Sequence, residues 1–187
     1  MNVTDPLHLR EAREGDMPAF ATMVNYFIET TTYNFRTQPQ TAPEWQDDWK
    51  LLHERYPWLV ATMDDELVGL AYAGPWKARN AYDWCAESTV YVANGQHGKG
   101  IGRALYRALL GILDAQGYRT TIGVIGLPNA ASVALHEACG FRHTGTLKSV
   151  GYKMDRWCDI GFYQRYAANS TAPPGPILPV SAVELPE

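Results

Sequence analysis

The sequence predicts one mixed α/β domain, a sheet of about seven strands flanked by about four helices. Three observations predict it. The segments follow the order strand, two helices, three strands, helix, strand, helix, two strands. A glycine-rich stretch, Gln96-His97-Gly98-Lys99-Gly100-Ile101-Gly102-Arg103, lies between a strand-like and a helix-like segment. The chain has 187 residues, 46% hydrophobic and 19% charged, enough for one sizeable core and ordinary for a globular protein.

Leu7 to Glu11 alternates apolar and polar residues, as a half-buried strand does. Asp16 is placed to cap a helix that starts at Met17-Pro18 and carries Phe20, Met23, Val24, Phe27 and Ile28 on one face. Glu29 to Phe35 is polar, β-branched and aromatic, and is expected to be irregular or extended. Thr41 caps a second helix, Pro43 to about Glu54, which ends before Pro57. Trp58–Met63 and Leu67–Ala73 are strands joined by a turn at Asp64-Asp65. The connection Pro75 to Tyr82 mixes two cations with aromatics, and Cys85–Ala93 is the next strand.

Ile101 to Gln116 is a helix with Ile101, Leu105, Leu109, Ile112 and Leu113 inward, ended by Gly117. Thr120–Ile125 is a buried-type strand. Leu127-Pro128-Asn129 breaks it, and Ser132–Cys139 is a short helix closed by Gly140. Phe141–Leu147 and Trp157–Tyr166 are the last strands, joined by a polar connection over Lys148–Arg156. Residues 1–168 therefore form the domain. Residues 169–187, with Pro173, Pro174, Pro176, Pro179 and Pro186, are expected to be an extended or disordered tail.

The net charge of −4 argues against a nucleic-acid partner or an anionic membrane surface. No apolar run is long enough to span a bilayer, and the first residues lack the character of a signal peptide. The three cysteines, Cys85, Cys139 and Cys158, have no metal-ligand spacing, so reduced thiols and a cytoplasmic location are expected, with no metal site.

Gly98, Gly100 and Gly102 let the backbone turn tightly and leave its N–H groups open. A helix N-terminus behind them adds unpaired donors and a positive dipole end, which makes a cradle for a pyrophosphate. There is no Lys-Ser/Thr pair after the last glycine, and no acidic ribose ligand at dinucleotide-fold spacing.

The Gly98–Gly102 core resembles motif A of the GCN5-related N-acetyltransferases. The resemblance implies that fold: a mostly antiparallel sheet with splayed central strands and acetyl-CoA as co-substrate. It implies that Val90, Tyr91, Val92, His97, Gly98, Lys99, Gly100, Ile101, Gly102 and Arg103 hold acetyl-CoA, with Asn129 and Ser132 as a second binding segment. Where the family commonly carries Gln or Arg, this chain has His97. Where many members carry a tyrosine acid, seven positions after Asn129, it has His136, so a tyrosine acid is excluded there. The blocks Ile28–Thr31, Asn34–Thr37, Tyr72–Trp84, Ala86–Val92 and Val124–Asn129 resemble the phosphinothricin N-acetyltransferase branch. That implies an amino-acid-like acceptor, a small molecule, and a homodimer.

An amine must lose a proton to attack a thioester, and a carboxylate within reach can take it. Glu87 is the candidate base; the alternative is a solvated strand residue. His136 is a candidate second base, thiol-side acid or substrate ligand, or else a satisfied helix histidine. Lys77 and Arg79 suit an acceptor's phosphinate or carboxylate, or a solvated loop. Glu29, Phe35, Tyr82 and Tyr106 are candidate acceptor walls, with packing as the rival for Phe35 and Tyr106. Cys85 has no histidine beside it in sequence, which disfavours an acyl-enzyme. Other acceptors stay open: methionine sulfoximine or sulfone, another amino acid, or a protein N-terminus. So does a non-catalytic acyl-CoA-binding module.

Overall fold

The computed structural model describes residues 6–167 and 174–184. The sheet has seven strands: β1 (His8–Glu11), β2 (Trp58–Met63), β3 (Glu66–Pro75), β4 (Cys85–Val92), β5 (Thr120–Leu127), β6 (Arg142–Lys153) and β7 (Arg156–Tyr166). Their order across the sheet is β1-β2-β3-β4-β5-β7-β6. All neighbours are antiparallel except β4 and β5. Four α-helices pack on it: α1 (Met17–Thr30), α2 (Ala42–Leu52), α3 (Ile101–Gln116) and α4 (Ala130–Ala138).

Strand alternation gives the sheet two apolar faces. Trp58, Val60 and Leu70 point to α1 and α2, where they meet Phe20, Val24, Ile28 and Trp45. Leu59, Ala61, Ala71 and Ala86 point to α3, where they meet Leu105, Leu109, Ile112 and Leu113. Small alanines on that face let α3 approach closely, and Gly69 extends this. A Cβ there would stand 2.8 Å from Leu105 and 2.9 Å from Ile101.

Local signals explain most boundaries. Thr41 caps α2 by accepting from the Glu44 N–H, and Glu44 returns the contact to the Thr41 N–H. The Asp64-Asp65 turn has φ of 51° and 60°, the left-handed pair that a tight hairpin requires. Asp16 does not cap α1 with its side chain. It binds Arg10 at 2.7 and 2.8 Å and the Arg13 N–H at 2.7 Å. Burial pushes its carboxyl up, but those donors outweigh burial and hold it below the usual carboxylate range.

One sequence expectation is corrected, and a second, an extended or disordered tail, is narrowed to its extended form over residues 174–184. The Lys148–Arg156 stretch is not a free connection, because β6 runs on to Lys153 and turns at Met154-Asp155. An irregularity between Leu147 and Gly151 hides the alternation in sequence. It is held by Asp159, which accepts from Lys148 Nζ and the Ser149 N–H. The tail is the second. Residues 174–184 are ordered against the domain, with Val180 buried in a short 3-10 turn and Ile177 and Val183 on the α3-side core. Pro173 and Pro186 lie outside the described residues.

Candidate active site

The parallel β4–β5 ladder has three rungs, Cys85–Thr120, Ala86–Thr121 and Glu87–Ile122. Beyond Glu87, β4 stays with β3 and β5 stays with β7, so the two central strands part. A cavity of about 550 Å3 opens in the gap. Val90, Tyr91 and Val92 line one side, Asn129, Ala131, Ser132 and Leu135 the other. His97, Gly98, Gly100, Ile101, Gly102 and Arg103 close one end, and Tyr26, Phe27, Thr31 and Tyr33 lie across it.

The loop has the conformation its glycines allow. Gly98 and Gly100 have φ of 80° and 81°, and a Cβ at either would meet nothing within 4 Å. Their glycine requirement is therefore conformational. Gly102 is tight instead, 3.3 Å from Leu135 and from Val92 for an added Cβ. Gly100 is the N-cap of α3, which starts without a side-chain cap. Its first-turn N–H groups are thus left to the cavity, as anion binding requires.

The sequence-predicted donor-side residues are brought together, with two qualifications. Lys99 does not line the cavity; its Nζ donates to Gln96 Oε1 at 2.6 Å. Asn129 lines it, but its Oδ1 caps α4 by accepting from the Ser132 N–H at 3.1 Å. The strand also divides its main-chain groups. Ala93 donates its N–H to Val68 O, so alternation turns Tyr91 to β3 as well and leaves Val90 and Val92 facing the gap.

The candidate acceptor-side residues lie elsewhere and do not line this cavity. Glu87 shares a face of β4 with Thr89 and Tyr91, opposite Gly74 on β3. Burial raises its carboxyl above the usual range, and Lys77 nearby works against that rise. Lys77 rests on the Trp76 ring, 4.6 Å from its centroid, and Trp76 meets Phe162 edge-on. Arg79 is exposed and Tyr82 is 40% exposed, on a short 3-10 turn. Glu29 is exposed on the last turn of α1. Phe35 packs its ring into a notch formed by Gly126 and Gly151, where a side chain would collide with it.

Two expectations change. Tyr106 is fully buried and touches no acceptor space; its hydroxyl bonds Ser88 Oγ at 2.6 Å and His136 Nε2 at 2.8 Å. His136 is buried too, and its Nδ1 lies 2.8 Å from the Ser132 carbonyl oxygen. A carbonyl only accepts, so Nδ1 carries the proton and Nε2 accepts from Tyr106. Burial lowers the imidazole's pKa, which agrees with a neutral ring. With both nitrogens occupied, His136 is a satisfied core histidine. Gly123 on β5 makes room for it.

Sequence reading passed over Thr89, Tyr72 and Asn34. Alternation along β4 was the available signal for Thr89, two positions from Glu87. Tyr72 stands opposite Thr89 on β3. Asn34 donates to the Tyr91 hydroxyl at 2.9 Å, a contact between distant segments that no local pattern announces. Asn34 is held in turn by Lys153, whose Nζ donates to its carbonyl at 2.6 Å, while Arg156 donates to Thr32 Oγ1 at 2.9 Å. Cys85 is not an activated thiol; burial, then the Glu87 charge, push it up to about 11. Among the described residues no group of three His, Cys, Asp or Glu could hold a metal, and no helix is long and apolar enough to cross a membrane.

Residues 9–161 match the model of the acetyltransferase (GNAT) domain family. The chain is 52% identical over 178 residues to the phosphinothricin N-acetyltransferase of Streptomyces viridochromogenes, covering 95% of this chain and 97% of that one. It is 33% identical to the L-methionine sulfoximine/L-methionine sulfone acetyltransferase of Pseudomonas paraeruginosa, over 83% of this chain and 92% of that one. Among solved structures it resembles a GNAT superfamily phosphinothricin acetyltransferase from Sinorhizobium meliloti in complex with AcCoA. The TM-score is 0.86 at 31% identity, covering 90% of this chain and 93% of that one.

Proposed function

The chain belongs to the GNAT acetyltransferase family, and from that premise we propose that it is an acetyl-CoA-dependent N-acetyltransferase for phosphinothricin or a similar glutamate-like amino acid. The observation that carries the reaction type is the position of Glu87, on the last rung before β4 and β5 part. The acceptor is argued from the Streptomyces viridochromogenes relative.

The cavity fits the donor. Its volume suits a small-molecule site. The left-handed glycines and the uncapped start of α3 fit a pyrophosphate, with the Arg103 cation beside them. Val90 and Val92 turn main-chain groups toward the arm of the ligand. The thioester supplies the acetyl group. Glu87 accepts the amine's proton, directly or through one water, and its raised pKa makes it a better base than an exposed carboxylate. The freed amine attacks the carbonyl; the tetrahedral adduct then collapses, the C–S bond breaks, and CoA leaves as the thiolate, which takes up the remaining proton of the new amide nitrogen. A main-chain N–H in the gap, from Val90 or Val92, stabilises the developing oxyanion. Lys77 and Arg79 pair with the acceptor's anionic groups, and Tyr82 and Phe35 bound its space. Acetylation removes the amine's positive charge, and resistance to the compound follows.

Methionine sulfoximine or sulfone is a second acceptor reading, favoured by the Pseudomonas paraeruginosa relative. The chain is further proposed to act as a homodimer. Leu147, Val150, Tyr152, Met154 and Trp157 are exposed on the β6–β7 hairpin at the sheet edge, an apolar patch that a second copy would cover. The free cysteines suit a cytoplasmic setting.

Thiol release from acetyl-CoA, screened against phosphinothricin, methionine sulfoximine and the common amino acids, tests the function. Release with phosphinothricin above all others is expected. Binding of acetyl-CoA without release for any amine would leave a non-catalytic acyl-CoA-binding module in its place.

A further inference from the structure

The segment after the last strand is not used by the reaction, yet it holds one end of the loop that carries the candidate acceptor residues. Residues 76–84 join β3 to β4. At one end the antiparallel ladder fixes them, with Pro75 opposite Ala86. In the middle the main-chain bonds are local, Tyr82 N–H to Arg79 O and Asp83 N–H to Asn80 O. At the other end the Trp84 carbonyl accepts from the Arg119 and Thr120 N–H groups at 2.9 and 3.2 Å, and its indole N–H donates to Gly175 O at 2.7 Å, so the segment fixes the side chain of a residue whose main chain the sheet already holds.

Gly175 belongs to a segment with strong anchors of its own. Leu178 N–H donates to Gln116 O at 3.0 Å, and Gln116 Nε2 returns a bond to Leu178 O at 2.7 Å. Val180 N–H donates to Glu54 O at 2.9 Å, and the Val180 side chain is 4% exposed. Gln116 Nε2 also donates to Arg55 O, and Arg55 reaches Asp83 next to Trp84. The end of α3, the residues after α2 and the loop before β4 are thus tied by one strand of chain. Among the described residues of the segment Val180 is buried, and Ile177 and Val183 are half-buried against the core. The bond from Trp84 joins the segment to the loop that carries Lys77, Arg79 and Tyr82.

We propose that residues 174–184 are a positioning strap, which through Trp84 sets Lys77, Arg79 and Tyr82 relative to Glu87 and so tunes recognition of the acceptor. The proposal rests on the N-acetyltransferase reading for its kinetic consequence, but its structural half can be read without activity.

Two full-length variants test it. Trp84→Phe keeps the ring and removes the indole N–H; Val180→Asp frees the strap from its pocket. Thiol-release kinetics and amide hydrogen exchange are measured on both. Expected for both is a rise in the acceptor KM of about 3–10-fold, the scale of one lost hydrogen bond. The acetyl-CoA KM stays within about two-fold, since the loss lies outside the donor cavity. Exchange at Lys77 to Asp83 is expected to quicken. If both KM values rise together with a fall in Tm, or if neither moves, the strap has no positioning role. If wild type releases no thiol with any amine, exchange alone decides. Faster exchange at Lys77–Asp83 then upholds the strap and overturns only the acetyltransferase reading; unchanged exchange overturns the strap.

Discussion

Glu87 stands opposite Ile122 on the last rung that joins β4 to β5. One residue further along, the ladder has ended. The candidate base therefore sits where the sheet opens, on the face away from the α3 core. This relationship underlies the first two expectations.

Glu87→Gln keeps the side chain's size and removes its basicity. Turnover is expected to fall about 10²–10⁴-fold, the range for a general base, with the acetyl-CoA KM nearly unchanged. In wild type the acid limb of kcat/KM should lie above the usual carboxylate pKa, because burial raises Glu87. Steady-state rates from pH 5 to 9 check both. A wild-type turnover rate in the Gln variant would remove Glu87 from the role.

The same substitution has a stability signature. A folded-state pKa above the unfolded one means that the folded state binds the proton more tightly. The protonated group's advantage is present below the unfolded pKa and is lost as pH rises through the folded one. Glu87→Gln, always neutral, should melt above wild type at pH 7. The gap should close toward pH 4. Thermal melts at both pH values measure it.

Gly98→Ala and Gly100→Ala force a Cβ into left-handed backbone at φ near 80°. Each should cost about 1–2 kcal/mol locally and disturb the anion cradle. The acetyl-CoA KM is expected to rise about tenfold, equivalent to about 1.4 kcal/mol, with the acceptor KM little changed. Varying one substrate at a time separates the two.

Gly123→Ala would place a methyl group 2.5 Å from the His136 ring and 3.6 Å from the Tyr106 hydroxyl. Neither ring has room to retreat, since both are buried and hydrogen-bonded to each other. A loss of about 1–3 kcal/mol is expected from overpacking. Chemical denaturation of the variant gives the number, and an unchanged midpoint would mean that His136 can move.

The sequence revealed most of the sheet because its signals are local. The Asp64-Asp65 turn, the Thr41 cap and the Gly117 stop all act within a few residues. The glycine loop and its left-handed turns were legible for the same reason, since Gly98 to Arg103 and the start of α3 are contiguous. Hydrogen bonds across the fold were not legible. Tyr106 and His136, 30 positions apart, pair with each other inside the core, and neither sequence neighbourhood shows it. The tail was ambiguous in sequence because prolines lack periodicity whether they are free or strapped down. The bonds from Leu178 and Val180 that order it go to Gln116 and Glu54, far back in the chain.

The short seam between β4 and β5 also bears on solvent access. Three rungs hold two antiparallel blades together, β1–β4 and β5–β7. Past the seam, Val90 and Val92 turn toward a gap where no strand partners them. These amides lie without a strand partner in the middle of a seven-stranded sheet, where strand amides are ordinarily the best protected. A ligand lying along the gap would act as the missing strand edge, and would close the blades into one continuous hydrogen-bonded surface.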